Sequence, residues 1–97
     1  MSTYTIVESN KAFLELRDLI DFYCSIDNRL GEKLVEDYNS TINKLSQSPL
    51  SYFNISEQLR RIPLSRFMCV IIYNISGFVI TVVGIKDTRI RPDKFFK

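Results

Sequence analysis

Histidine and tryptophan are both absent from this chain of 97 residues. Without histidine, every Ser–His or Cys–His nucleophile pair is excluded, and so is a histidine-ligated metal. The two cysteines, Cys24 and Cys69, stand far apart, without CxxC spacing, and inside apolar stretches. They read as two buried thiols rather than a redox pair or a structural disulfide. Three glycines and three prolines leave little room for flexible linkers. No apolar run approaches the roughly 18–20 residues that a membrane span needs. The start, Met1-Ser2-Thr3-Tyr4-Thr5, lacks the basic then apolar character of a signal peptide. These absences predict a single domain over residues 1–97, working in the cytoplasm with no membrane partner.

What is present is ordinary in bulk, with 45% apolar and 25% charged residues. A chain of this length buries about two-thirds of its unfolded surface, which suffices for a core without staples. The charge is less ordinary once divided by position. Residues 1–56 carry five basic and eight acidic side chains, a balance of −3, and residues 57–97 carry eight basic and three acidic, a balance of +5. A one-sided basic field attracts nucleic acid or an acidic protein.

Tyr4 and Ile6 alternate with Thr5 and Val7, the pattern of a short strand. Ser9 or Asn10 offers an oxygen to cap a following helix. Phe13, Leu16, Ile20 and Tyr23 then recur at helical spacing, with Leu19 and Cys24 widening the stripe and Glu15, Arg17, Asp18 and Asp21 opposite, which predicts a helix over 11–26. Asp27-Asn28 breaks it. Leu30, Leu34, Tyr38, Ile42 and Leu45 mark a second helix, with Val35 on its apolar side and Glu32, Glu36 and Asp37 outward. This helix ends near Ser48-Pro49, since proline disfavours helical geometry just before it. Residues 49–56 read as a loop and 59–64 as an edge strand carrying Pro63. Residues 67–73 and 78–85 are β-branched, aromatic strands, with Asn74-Ile75-Ser76-Gly77 as the turn between them. The expected fold is α+β, a helix hairpin packed on a mainly antiparallel four-stranded sheet in the order β-α-α-β-β-β.

Several segments in this order resemble the RelE/ParE superfamily of type II toxin–antitoxin toxins. They are Ala12-Phe13-Leu14-Glu15-Leu16-Arg17-Asp18-Leu19-Ile20-Asp21-Phe22-Tyr23, Leu45-Ser46-Gln47-Ser48-Pro49, and Leu59-Arg60-Arg61-Ile62-Pro63-Leu64-Ser65-Arg66-Phe67 followed by Val70-Ile71-Ile72-Tyr73. The last is Val82-Val83-Gly84-Ile85-Lys86-Asp87-Thr88-Arg89, leading to Pro92-Asp93-Lys94-Phe95-Phe96. The order and spacing cover essentially the whole chain and sit closer to the ParE-like branch. Two departures stand out: Lys86 occupies a place where ParE-like chains often have histidine, and Ile90-Arg91 lengthen the tail.

The resemblance implies a bacterial toxin that inhibits growth, serves plasmid stabilisation, and is neutralised by a cognate antitoxin folding along it as helix and strand. The groove between the helix hairpin and the sheet, and the edge strand at 59–64, are the implied docking places. ParE-like members bind DNA gyrase; RelE-like members cut mRNA on the ribosome. For gyrase binding, Arg60, Arg61, Arg66, Arg89 and Arg91 supply a basic surface, and Phe95 and Phe96 supply apolar anchors. Arg60 and Arg61 alternate in direction on a strand, so at most one faces any given surface. Arg66 is equally suited to an ion pair with helix carboxylates. Tyr73 reads as a core residue with a bonded hydroxyl. RNA cleavage needs a base, an acid and cations around the phosphate. Here Lys86 is the candidate base and Arg89 a candidate cation. Yet Phe95 and Phe96 replace a tyrosine that RelE-like ribonucleases often carry, and Val70 stands where they have arginine. The chain therefore reads more readily as a binding protein than an enzyme, with neither cofactor nor metal implied. A homodimer, a hetero-oligomer with the antitoxin, and a non-toxic relative or nucleic-acid binding module with salt-sensitive binding remain open.

Overall fold

The computed structural model describes residues 4–88; residues 1–3 and 89–97 lie outside the described residues. The elements are β1 (Thr5–Glu8), α1 (Asn10–Ile26), α2 (Asn28–Gln47), a 3₁₀ turn (Pro49–Ser51), β2 (Phe53–Asn54), β3 (Arg60–Pro63), β4 (Cys69–Ser76) and β5 (Val79–Asp87). Ser9 caps α1, its hydroxyl accepting the Ala12 N–H at 3.0 Å. Asp27 serves both helices. Its N–H donates to the Tyr23 carbonyl at 3.0 Å, while its carboxylate accepts the Arg29 N–H at 2.9 Å. One residue thus makes the whole connection, and the two helices must pack side by side. They approach closely where Gly31 meets Cys24, since a Cβ at Gly31 would lie 2.1 Å from the Cys24 Sγ. Neither cysteine forms a disulfide; Cys69 is buried, as expected, and Cys24 is half-buried against Gly31.

The sheet has five strands in the order β1-β5-β4-β3-β2 rather than the four expected, and it is mixed. β1 runs parallel to β5, whereas β5-β4, β4-β3 and β3-β2 are antiparallel. β2 lies inside the stretch read as a loop. Its two residues, opposite Arg61 and Arg60, displace β3 from the edge position predicted for 59–64. The hairpin turn is Gly77-Phe78, not 74–77, because β4 runs on to Ser76, which faces Val79. Gly77 takes φ 60°, the left-handed conformation such a tight turn requires. A bulge at the β4–β5 register between Ile72 and Tyr73 leaves Val83 unpaired.

The core lies between the hairpin and one sheet face, with Leu34 and Leu45 of α2 fully buried against Ile71, Tyr73, Ile80 and Val82. This packing fills the groove expected there as a docking place. Three side chains differ from the helical-stripe reading. Phe13 is half exposed, at 50%, and Ala12 takes the buried position beside it. Val35 is exposed on α2. Asp37, placed on the outer face by sequence, is buried. Among the described residues, no helix is long and apolar enough to cross a membrane.

Candidate functional site on the open sheet face

Side chains alternate along a strand, so the sheet has a second face turned away from the helices. Cys69, Ile71 and Tyr73 of β4 join the helix-side core, and Val70 and Ile72 point the other way. The register sets two rows across that open face: Arg61–Ile72–Gly84 and Pro63–Val70–Lys86. Two hollows flank them. One, about 400 Å³, is lined by Ser51, Tyr52, Phe53, Arg61, Pro63 and Val70. The other, about 430 Å³, is lined by Ser9, Lys11, Leu59, Ile72, Val83, Gly84 and Lys86. The face therefore combines β-branched side chains with three cations.

The sequence-picked cations fall into different settings. Arg60 and Arg61 do face opposite ways. Arg60 lies opposite Tyr73 in the ladder, and its guanidinium donates to the carbonyls of Tyr52 at 2.9 Å and Leu50 at 3.2 Å. Tyr73 donates its hydroxyl to the Pro49 carbonyl at 2.7 Å. Together this pair fastens the 49–52 turn to the sheet, which is a structural duty. Arg61 is exposed on the open face and stacks 4.7 Å over the Phe53 ring.

Lys86 forms an ion pair with Glu15, a residue read from sequence as part of the solvated side of α1. The same carboxylate accepts the Ile85 N–H at 3.2 Å. The reason lies in strand length. β1 pairs with β5 only as far as Val82, so the outer edge of β5 beyond it needs another acceptor. Gly84 leaves the space for it, since a Cβ there would meet the Glu15 Oε1 at 2.8 Å.

Arg66 sits exposed in the β3–β4 connection. Among the described residues the ion pairs are Arg29–Asp27 and Lys86–Glu15, so the pairing weighed for Arg66 with a helix carboxylate is not formed. Its backbone is held instead. The Asp37 carboxylate accepts the N–H groups of Ser65 at 3.1 Å, Arg66 at 2.8 Å and Phe67 at 3.2 Å. Asp37 was missed as a site residue, but the sequence carried a signal. It lies three residues after Leu34 and four before Thr41, inside the buried stripe of α2. A carboxylate on an apolar stripe needs partners of its own.

Arg89, Arg91, Phe95 and Phe96 lie outside the described residues. The described chain ends at Thr88, whose N–H and hydroxyl both donate to the Met68 carbonyl, at 2.6 and 2.9 Å, beside the Arg66 loop. Chemically, the arrangement offers two partly apolar hollows with the cations Arg61 and Lys11 beside them, suited to an extended acidic or amphipathic segment. The candidate base is engaged, the Lys86 nitrogen with Glu15, and Tyr73 is the core residue with a bonded hydroxyl that was expected, its hydroxyl pushed up to about 12 by burial and held by Pro49. Val70, at the position where arginine was sought, is buried.

No family model and no curated protein matches the chain. A solved structure does: a chain of the "Chromosomal ParDE TA system from P. aeruginosa" superposes with a TM-score of 0.75 at 20% sequence identity, covering 87% of this chain and 95% of that one. At that identity the likeness is one of fold. It bears out, at the level of architecture, the ParE-like resemblance read from the sequence.

Proposed function

We propose that this protein is the toxin of a bacterial type II toxin–antitoxin system of ParE-like kind, acting in the cytoplasm as a single domain and neutralised by an acidic antitoxin. The observation that carries the reading is the shared fold with a chain of a ParDE toxin–antitoxin system over 87% of this chain. The open sheet face supports the antitoxin part. Arg61 and Lys11 border hollows on that face, and Phe53 beside Arg61 is exposed, so an amphipathic acidic segment gains buried area and paired charge together. DNA gyrase is the proposed target, engaged by protein binding through Arg61 and Arg66 with Arg89, Arg91, Phe95 and Phe96 of the C-terminal segment. The engagement of Lys86, the candidate base, with Glu15 favours this over mRNA cleavage.

Regulated expression in bacteria, followed by microscopy and mapping of mRNA ends, tests the reading. Filamentation with a DNA-damage response and intact messages is expected, with Arg61→Glu weakening the effect. Translation arrest with cleaved messages sinks the gyrase assignment. Normal growth of wild-type expressers sinks the toxin assignment altogether.

A further inference from the structure

We infer that Asp37 is a positioning residue that presents Arg66 to an acidic partner, an inference resting on the partner-binding reading of Arg66 above. The β3–β4 connection has no regular structure, so its shape depends on what its amides and side chains meet. Three consecutive N–H groups, those of Ser65, Arg66 and Phe67, converge on the one buried carboxylate of Asp37. Successive amides directed at one anion form a concave nest, and here a helix side chain fills it.

The remaining anchors hold the ends of the loop and leave its cation free. The Leu64 N–H donates to the Cys69 carbonyl at 2.9 Å, and the Phe67 ring meets Tyr23 edge-on at 5.0 Å. The Lys44 ammonium donates to the Ser65 hydroxyl at 3.2 Å. Arg66 and Lys44 therefore stand together at the rim of a hollow of about 290 Å³ that also borders Glu36 and Ser40. Holding a loop in place needs only one or two neutral caps. A buried carboxylate on α2 that grips both peptide planes around Arg66 does more, because those planes set the direction in which its side chain leaves the backbone. A fixed departure direction lowers the ordering cost when that guanidinium meets a carboxylate.

The test uses the purified full chain and poly-L-glutamate as an acidic probe, with affinity read by calorimetry and stability by thermal melting. Asp37→Asn and Arg66→Ala are compared alone and together, and Gly77→Ala, which strains the left-handed position of the β4–β5 turn and lines none of the hollows described, serves as a stability control. Asp37→Asn is expected to weaken probe binding by about fivefold, and the double variant to bind no more weakly than Arg66→Ala, the non-additivity of two groups acting as one. Gly77→Ala is expected to lower the melting temperature and leave affinity unchanged. Additive losses in the double variant overturn the inference, as does an equal loss in Gly77→Ala or a wild-type chain with no affinity for the probe. Growth arrest plays no part in these measurements, so failure of the toxin assignment reads out separately.

Discussion

Tyr73 shows how one side chain links the sequence to the shape of the candidate site. It is fully buried, faces Arg60 across the ladder, and its hydroxyl holds the Pro49 carbonyl, so the 3₁₀ turn that brings β2 alongside β3 depends on it. Burial raises its hydroxyl from 10.0 to about 12, with the nearby Arg60 opposing part of the shift. A raised value means that the folded state holds the proton more tightly than the unfolded chain. That contribution is complete below about pH 10 and is lost as pH climbs through about 12. Tyr73→Phe strands the Pro49 carbonyl and is expected to cost about 1–3 kcal/mol near neutrality. The gap between the variant and the wild-type protein should then narrow at pH 11, which denaturant titrations at pH 8 and pH 11 measure directly. An unchanged gap would mean that the hydroxyl is not the group responsible.

At the scale of elements, the hairpin between β4 and β5 carries the longest antiparallel pairing in the sheet and turns on Gly77. A Cβ there would meet nothing within 4 Å, so any penalty for Gly77→Ala is one of backbone conformation at φ 60°. The expected loss is about 1–2 kcal/mol, with Gly77→Asn costing less, because asparagine tolerates left-handed geometry. Equal losses from the two substitutions, in chemical denaturation, would contradict this. The elements themselves were largely legible: both helices and β1 follow apolar periodicity, β4 and β5 are continuous β-branched and aromatic runs, and β3 lies in the segment read as a strand carrying Pro63. The parts that were not legible depend on partners distant in sequence. β2 is two residues long and is defined only by pairing with Arg60 and Arg61, and the parallel pairing of β1 with β5 spans over seventy residues. The turn read at 74–77 slid forward because Asn74 and Ile75 still find partners, Thr81 and Ile80, across the ladder. Asp37 was misread for a different reason: residue type suggested the solvent side, while its spacing from Leu34 and Thr41 placed it with the core. At the candidate site the cations were legible as residues. Which way each one faces followed only from the register.

At the scale of the whole molecule, the charge asymmetry along the chain becomes, among the described residues, one between the helix hairpin and the sheet with its connections. The acidic balance of residues 1–56 belongs mostly to the hairpin, and the basic balance of residues 57–97 begins on the sheet and its connections. With a net charge of only +2, the protein would bind little to a uniformly charged surface if its charges were evenly spread. A two-sided distribution binds in one orientation instead, because charges beyond a screening length of about 10 Å at 0.1 M salt contribute little. Removing one positive charge should therefore matter according to where it stands. On a cation-exchange matrix at pH 7, Arg61→Gln is expected to elute at clearly lower salt than the wild-type protein. Lys33→Gln, an equal change in net charge on the hairpin, should move elution much less. Equal shifts would mean that the molecule presents its charge as a sum rather than as a face. The same orientation would bring an acidic partner onto this sheet face, where the exposed Phe53 ring lies beside Arg61, so steering and apolar burial act on the same surface.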